Sequence, residues 1–340
     1  MSILASASTV VIAELGVNHD GSLTRALELV EDAAKAGADA VKLQIFKARR
    51  LMHSTAAFAQ YQTERCDDRN PADMLEKYEL RDGEIEKIVN AIRGVGLIPL
   101  ATPFSLDDVE LIDELGLPVI KIASPDVVNY PLLKRCAALG RPLLVSTGAA
   151  TMQELAETTQ WLREWESEFA LLHCVSSYPT PPEEAHLVWI RQLIQRFEVP
   201  VGYSDHTTEL LAGALAVAAG ARIIEKHLTY DCDALGPDHG ASANPHQFTK
   251  YVAAIRLAEK LRGSGGKRVL HIEEDVRGVS RQSLVAARDL HAGHELAEGD
   301  LMTQRPGRGI SAAQWPQILG RTIARPVSAG TILEHSMLAA

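Results

Sequence analysis

Two lysines interrupt apolar runs that are typical of buried β-strands. Lys42 lies in VKLQI (41–45) and Lys121 lies in VIKI (119–122). Side chains two residues apart along a strand share a face, so Lys42 and Gln44 point to one side together. Such lysines either extend past the apolar surface to water or hold an anion in a pocket. Hydroxyl groups at the ends of neighbouring runs favour a phosphate or carboxylate pocket: Thr102, Ser146 and Ser204.

Two histidines close consecutive strand-like runs, in SDH (204–206) and EKH (225–227). The same spacing rule puts Ser204 beside His206 and Glu225 beside His227. Two imidazoles on adjacent strands can hold one divalent ion and leave positions open for water and substrate. The alternative is a pair of histidines that form hydrogen bonds within the protein and bind no metal. Imidazole suits zinc, iron or nickel, whereas a water-rich site suits manganese or magnesium.

Three carboxylates stand close to the same run ends. Glu14 closes the first run and Asp126 follows the fourth, and each can either transfer protons or cap the next helix. Asp238, in the loop ALGPDHGAS (234–242), can bind sugar hydroxyls or act as an ordinary turn residue. The combination of lysines, histidines and hydroxyl residues predicts a phosphorylated three-carbon donor that meets a polyhydroxy carbonyl acceptor.

Eight strand-like runs must position these side chains. They span residues 9–14, 40–46, 97–102, 118–124, 142–147, 169–176, 199–205 and 221–228, with helical patterns between them. Five helical stretches stop at a glycine that suits the left-handed helix end: Gly37, Gly96, Gly116, Gly140 and Gly220. This alternation predicts a closed parallel (β/α)₈ TIM barrel of the α/β class. An open doubly wound sheet would need a glycine-rich phosphate loop after its first strand, and AELGVNHDGS is not one.

Polar residues close all eight runs. Parallel barrels build their active sites at the carboxyl ends of their strands, so we expect the site there. The stretch 52–73 is predicted to form a loop over this pocket. The residues concerned are Glu14, Lys42 with Gln44, Thr102, Lys121 with Ser124, Ser146, Ser176, Ser204 with His206, and His227.

A change in composition divides the chain. We predict a catalytic barrel over 1–262, a linker over 263–281 that begins with the flexible sequence GSGG, and a small, mostly β module over 282–340. The module contains a weak internal repeat, with an Ala-Gly turn in each half at Gly293 and Gly330. Leu301 in the first half corresponds to Leu338 in the second. About 60 residues are marginal alone, so we expect the module to dock on a barrel.

The overall composition excludes several functional classes. Apolar residues make up 46% of the 340 positions, and 34 Lys+Arg against 44 Asp+Glu give a net charge of −10. We therefore expect a globular protein without nucleic-acid or membrane partners. The four cysteines are scattered, the first residues do not resemble a signal peptide, and no apolar stretch approaches a membrane span. We expect a cytoplasmic protein.

The ordered motifs resemble the N-acetylneuraminate (sialic acid) synthase family, which includes pseudaminic and legionaminic acid synthases and spore-coat enzymes. The likeness covers nearly the whole chain and rests on AELGVNHDGS, VKLQIF, ATPFS, IKIAS, LLVSTGAA, LHCVSSYPTP, VGYSDHT, EKHLT, GPDHGAS and QRPGRGI. It implies a TIM barrel followed by an antifreeze-like (SAF) domain. It also implies a domain-swapped homodimer in which the small domain covers the partner's active site.

The resemblance also implies a role for each matching residue. His206 and His227 would bind Mn²⁺, Mg²⁺ or Co²⁺, Glu14 would handle protons, and Arg305 would reach across from the other subunit. The implied phosphoenolpyruvate ligands are Lys42, Thr102, Lys121, Ser124, Ser146 and Ser204. The implied acceptor contacts are Gln44, Asp126, Tyr178 and Asp238, together with Ser176. The implied reaction condenses phosphoenolpyruvate with an amino sugar of the N-acetylmannosamine type and releases phosphate.

Departures from the family pattern bear on the acceptor sugar. Ser176 stands where the sialic-acid branch commonly has Asn, and Pro125 with Asp126 stands where Gly and Glu are frequent. A 2,4-diacetamido-trideoxy sugar, as used by legionaminic or pseudaminic acid synthases, is therefore an alternative acceptor. Three other functions stay open: a pyruvate lyase with Lys121 as the Schiff-base nucleophile, a barrel synthase of other keto sugar acids, and a silent sugar-binding protein.

Overall fold

The chain folds into two compact units, Met1–Gly263 and Ser264–Ala340. A computed structural model describes residues 3–57, 70–263 and 265–339. Part of the predicted 52–73 loop, residues 58–69, therefore lies outside the described residues. Among the helices that are described, none has the length and apolar character that crossing a bilayer requires.

The first unit is a closed barrel of eight parallel strands in sequence order. The last strand pairs with the first, with Val10 opposite Ile223 and Glu14 opposite His227, so the sheet has no open edge. This closure confirms the predicted TIM barrel and excludes the open sheet. The strands are β1 Val10–Gly16, β2 Ala40–Ile45, β3 Ile98–Pro103, β4 Val119–Ile122, β5 Leu143–Ser146, β6 Phe169–Cys174, β7 Val201–Asp205 and β8 Ile223–His227.

Helices follow the strands and surround the barrel. All five glycines predicted to end helical stretches have positive φ, from +60° at Gly116 to +117° at Gly220, which confirms the proposed tight αβ loops. The helices of this unit are α1 Leu23–Lys35, α2 Ala48–Leu51, α3 Pro71–Glu76, α4 Asp82–Gly94, α5 Leu106–Glu114, α6 Tyr130–Ala137, α7 Met152–Glu164, α8 Trp189–Phe197, α9 Ala212–Ala219 and α10 Pro245–Arg262.

Alternate residues of each strand fill the barrel interior in layers. Toward the amino ends of the strands the inward residues are apolar and pack with one another, among them Ile12, Leu100, Leu144 and Leu172. Gly202 is required in this packing, because a Cβ there would lie 2.4 Å from both the Ile223 carbonyl oxygen and the Leu172 side chain. Two residues further along, the inward positions of seven strands are polar, and β6 has Cys174 there. The apolar layers therefore form the floor of a polar pocket.

The second unit contains a small antiparallel sheet. Helix α11 (Glu274–Ser280) precedes strand β9 (Ser283–Ala286), which pairs with β10 (Leu301–Gln304), and α12 spans Trp315–Ile318. The segment predicted as a linker thus contains a helix, since its glycine-rich composition ends at Gly266 and the acidic first turn of α11 follows. The sequence repeat has a structural counterpart: Gly293 and Gly330 share a φ of +81°, and isolated bridges pair Leu290 with Val327 and Ile323 with Leu338.

Candidate active site

A cavity of about 400 Å³ opens at the carboxyl ends of the barrel strands. Thirteen of the fifteen residues proposed from the sequence line it, and Asp126 and Arg305 do not. The thirteen are Glu14, Lys42, Gln44, Thr102, Lys121, Ser124, Ser146, Ser176, Tyr178, Ser204, His206, His227 and Asp238. The neighbouring cavity of about 670 Å³ shares Cys174 and Ser176 with this one but is lined by neither lysine and neither histidine of the proposed site.

Two lysines and one glutamate form the floor of this cavity. Lys42 Nζ lies 2.9 Å from Glu225 Oε2 and 3.6 Å from Glu14 Oε2. Lys121 Nζ donates to Ser146 Oγ at 2.6 Å and lies 3.9 Å from Glu225 Oε1. Ser204 Oγ donates to the same Glu225 Oε1 at 2.8 Å. The two ammonium groups and the serine hydroxyls therefore converge on one place, where they can hold a phosphate or a carboxylate.

Burial and neighbouring charges set the protonation of the two lysines. Burial lowers the pKa of Lys121 to about 8, with Glu225 opposing the shift and Lys42 adding to it. Burial also acts to lower the pKa of Lys42, but Glu14 and Glu225 outweigh it and hold that pKa above its ordinary value. Both lysines are thus mainly cationic at neutral pH and available to an anion.

Glu14 is a buried carboxylate beside this anion site. Its Oε1 accepts a hydrogen bond from Gln44 Nε2 at 2.9 Å, and its Oε2 has no hydrogen-bond partner among the described residues. Burial raises the pKa of Glu14 to about 7, although Lys42 opposes the shift. A carboxyl group with a pKa close to neutrality can both accept and donate a proton under ordinary conditions.

The two histidines stand above the lysines at the rim of the barrel. Their ring centroids are 5.5 Å apart. His206 Nδ1 donates to the Val175 carbonyl oxygen at 2.9 Å, which leaves Nε2 available. His227 Nδ1 is buried without a hydrogen-bond partner among the described residues, 3.6 Å from Asp238 Oδ2. Burial lowers the pKa of His227 well below its ordinary value, so the ring is in the neutral form that binds metals.

These histidines fit a divalent ion with few protein ligands. A ring nitrogen held by a backbone carbonyl is the usual orientation of a ligating histidine, and the unpartnered His227 nitrogen is a free ligand. Within the described ranges, no three His, Cys, Asp or Glu side chains are arranged to hold a metal. An ion bound by His206 and His227 would therefore take most of its other ligands from water and substrate.

Loop residues and apolar side chains surround the opening. The Tyr178 ring lies 4.1 Å from the His206 ring, and burial raises the pKa of Asp238. Gly148, which the sequence reasoning missed, donates its N–H to Ser124 Oγ at 3.0 Å, and a Cβ there would lie 2.2 Å from Ser176 Oγ. The cavity wall also includes a set of apolar residues: Phe46, Leu51, Met52, Met74, Leu75 and Phe104.

Asp126 is not among the residues that line the cavity, and Arg305, predicted to act on the other subunit, is not part of the barrel unit. Asp126 is half-buried in a 3₁₀ turn, where its Oδ1 accepts a hydrogen bond from Asn129 Nδ2 at 2.8 Å. Asn129, and not Asp126, caps helix α6. Burial raises the pKa of Asp126. Arg305 belongs to the second unit, where its side chain is exposed.

Glu225 is the central residue that sequence reasoning left without a role. Its carboxylate is buried and contacts both lysines and Ser204. The spacing in EKH had placed it on the same face as His227, so the signal was present. Its partners come from β2, β4 and β7, however, and those contacts become visible only once the barrel is closed.

The sequence comparison identifies the family. The model described as the NeuB family matches residues 29–267, and the SAF domain model matches residues 281–339. The chain belongs to the NeuB family. The resemblance inferred from the motifs is thereby confirmed, together with the SAF domain at the carboxyl end.

Individual relatives of this NeuB-family chain match over almost its whole length. The N,N'-diacetyllegionaminic acid synthase of Campylobacter jejuni is 38% identical, covering 92% of this chain and 95% of that protein. The synthase of the same name from Legionella pneumophila is 37% identical, covering 97% and 95%. Pseudaminic acid synthase of Campylobacter jejuni is 32% identical, covering 96% and 95%. A crystal structure of a spore coat polysaccharide biosynthesis protein E from Chromobacterium violaceum matches with a TM-score of 0.84 at 27% identity, covering 98% and 100%.

Proposed function

We propose that this chain is a synthase of nine-carbon keto sugar acids that condenses phosphoenolpyruvate with a 2-acetamido sugar and releases phosphate. The observation that carries the proposal is a buried cluster of Lys42, Lys121 and serine hydroxyls that shares one cavity with two buried histidines, His206 and His227. The three relatives named as legionaminic or pseudaminic acid synthases support the same reaction.

The anion site is proposed to bind the donor. Lys42 and Lys121 provide two positive charges, and the hydroxyls of Ser146 and Ser204 can rotate to donate to a phosphate. C3 of the donor forms a bond to the aldehyde carbon of the acceptor, water adds to C2, and phosphate leaves with cleavage of the C2–O bond. Glu14 is placed to take or return the proton that the added water must lose.

A divalent ion, with Mn²⁺ as the first candidate, is proposed at His206 and His227. When bound, it would polarise the aldehyde oxygen of the acceptor and so make the aldehyde carbon more electrophilic. The residues themselves do the positioning: the Val175 carbonyl fixes the His206 ring, and Tyr178 packs against that ring. Asp238, close to His227, is available to accept hydrogen bonds from acceptor hydroxyl or amide groups.

The acceptor is proposed to be a 2,4-diacetamido-trideoxy hexose of the mannose type, with N-acetylmannosamine as the alternative. The apolar side chains in the cavity wall, Met52, Met74 and Leu75 among them, support this choice. A 6-deoxy methyl group and a second acetamido methyl group can be buried there without loss of hydrogen bonds, whereas sugar hydroxyls would lose theirs. The two relatives named as legionaminic acid synthases support it as well.

The proposal is tested by phosphate release from phosphoenolpyruvate with Mn²⁺ and a panel of acceptors. We expect release with one of the 2-acetamido sugars, loss of activity in His206→Ala, and retention in the control His246→Ala, whose ring is exposed on α10. Release without metal would refute the metal site. If no acceptor supports phosphate release, the proposed synthase activity is contradicted.

One observation favours a second candidate function. Lys121 is buried, and its pKa is lowered to about 8, as in lysines that form Schiff bases with carbonyl substrates. Borohydride reduction in the presence of pyruvate would trap such a lysine. We expect no trapping, because Lys121 donates a hydrogen bond to Ser146 and faces Glu225, an arrangement that suits anion binding.

We also propose a homodimer in which Arg305 completes the active site of the second copy. Arg305 is exposed, and the planar guanidinium of an arginine can hold a carboxylate or phosphate through two hydrogen bonds, which supports a role in binding an anionic substrate. Mixing Arg305→Ala with His206→Ala chains tests this. In a mixed dimer one barrel would have both an intact metal site and an intact arginine, so activity should return. Two inactive proteins that stay inactive after subunit exchange would refute the proposal.

A further inference from the structure

Glu225 has no role in the reaction proposed above, yet it occupies the centre of the anion site. Its side chain is buried, with Oε2 2.9 Å from Lys42 Nζ and Oε1 3.9 Å from Lys121 Nζ. Ser204 Oγ donates to Oε1 at 2.8 Å. Three of the groups proposed to hold the donor thus face one carboxylate.

A carboxylate and a phosphate compete for the same partners. Both are acceptor-only anions that take hydrogen bonds from ammonium and hydroxyl groups at similar distances. A phosphate that binds Lys42 and Ser204 must take these donors from Glu225. If it also binds Lys121, which donates to Ser146 Oγ and to the Ile122 carbonyl oxygen and lies 3.9 Å from Glu225, it must lie a few ångströms from that negative charge. Repulsion between like charges at such a distance is strong in a buried site.

We propose that Glu225 is an internal competitor for the phosphate group: it keeps the two lysines paired while the site is free, and it weakens phosphate binding enough for product phosphate to leave. This inference rests on the proposed function for the identity of the anion. Glu225 is a positioning residue in this account, since it acts through the lysines and Ser204 and not on the reacting carbons.

Glu14 provides a matched comparison within the same site. It is also a buried carboxylate next to Lys42, but it lies 3.6 Å from that ammonium group, and its other oxygen is bonded to Gln44. Among the described residues, no hydrogen bond or ion pair joins Glu14 to Lys121 or Ser204. Neutralising Glu14 should therefore relieve less competition than neutralising Glu225.

A purely structural role for Glu225 predicts that its replacement weakens anion binding, whereas competition predicts that its replacement strengthens it. If the carboxylate only held the lysines in place, its replacement would loosen the donors and weaken binding of every anion. If it competes, the isosteric and neutral Glu225→Gln leaves the lysines more available, and anion binding becomes tighter. The sign of the change in affinity separates the two roles.

The experiment is calorimetric titration of inorganic phosphate and of phosphoenolpyruvate into the full-length protein at pH 7. Wild type, Glu225→Gln, Glu225→Asp and Glu14→Gln are compared, once with Mn²⁺ and once with EDTA, so that binding to the metal is separated from binding to the lysines. We expect at least tenfold tighter binding of both anions to Glu225→Gln, little change for Glu225→Asp, and a smaller gain for Glu14→Gln. Steady-state assays should show a lower KM for phosphoenolpyruvate, a lower kcat and stronger inhibition by phosphate in Glu225→Gln.

The possible results of the titrations distinguish failure of the inference from failure of the proposed reaction. Weaker or unchanged phosphate binding by Glu225→Gln, with the melting temperature kept, overturns the inference. Tighter binding without any turnover in wild type leaves the inference standing and refutes the proposed reaction. If neither anion binds wild type or Glu225→Gln, both the anion site and the inference fail. If Glu225→Gln does not fold, Glu225→Asp must still bind phosphate within threefold of wild type, and a larger loss overturns the inference.

Discussion

Replacing Lys121 by methionine tests the anion site most directly. Methionine keeps most of the length of the side chain but removes the charge and the 2.6 Å hydrogen bond to Ser146. Two opposite charges about 4 Å apart interact by about 4 kcal/mol at an effective dielectric constant of about 20. Since about 1.4 kcal/mol corresponds to a factor of ten, loss of this charge should lower kcat/KM for phosphoenolpyruvate by up to about 10³.

The assay is initial-rate phosphate release with the donor varied and the acceptor saturating. The KM for the acceptor should change little, because Lys121 lies on the cavity floor below the histidines. Lys134→Met is the control, since Lys134 is exposed on α6, away from the cavity. A folded Lys121→Met protein with kcat/KM for the donor within threefold of wild type would refute the assignment of Lys121 to phosphate.

Three further predictions follow from single residues. For Glu14→Gln, the rate of phosphate release should fall by about 10² or more. Wild-type activity should rise as pH passes about 7, where Glu14 loses its proton, and the pH–rate profile of the variant should lack this rise. For Gly148→Ala, a Cβ would lie 2.2 Å from Ser176 Oγ and 2.8 Å from Ser124 Oγ, so both hydroxyls must shift, and kcat/KM for the acceptor should fall about tenfold. For Asp300→Asn, we expect a lower melting temperature above about pH 4, because bonds from the Ala297 N–H, from His294 and from Arg288 hold the pKa of Asp300 well below its ordinary value. This contribution to stability is present above the ordinary pKa and lost as pH falls, so thermal unfolding of the two proteins should converge in acid.

The alternation of side chains along a strand was enough to predict most of the site. Lys42 and Gln44 point into the barrel while Leu43 packs in the outer core, as the two-residue period requires. The eight strand-like runs predicted the number of βα units, and five helix-ending glycines marked where helices stop, before any pairing was known. These predictions succeed because they depend on local geometry, which a strand or a helix end imposes wherever it lies in the fold.

The remaining features depend on contacts between distant segments. The sequence places Glu225 inside the barrel, but its engagement by Lys42 and Lys121 follows from the closure that brings β2, β4 and β8 around one axis. Asp126 follows a strand, so the sequence rule assigned it to the pocket, yet it lies in a 3₁₀ turn whose local hydrogen bond to Asn129 determines its direction. The spacing of residues along one strand predicts which side of the sheet a side chain faces, but it does not predict which residues of other segments that side chain contacts.

The order of side chains along two strands explains how one cavity can serve two chemical tasks. Ser204 on β7 precedes His206, just beyond that strand, by two residues, and on β8 Glu225 precedes His227 by two. Two residues along a strand correspond to about 7 Å, so the anion level and the histidine level are stacked about that far apart. A small phosphorylated enol held by its phosphate at the lower level directs its carbon end toward the upper level, where the acceptor aldehyde is proposed to lie. The two-residue repeat therefore separates the side chains proposed to hold the phosphate from those proposed to hold the acceptor.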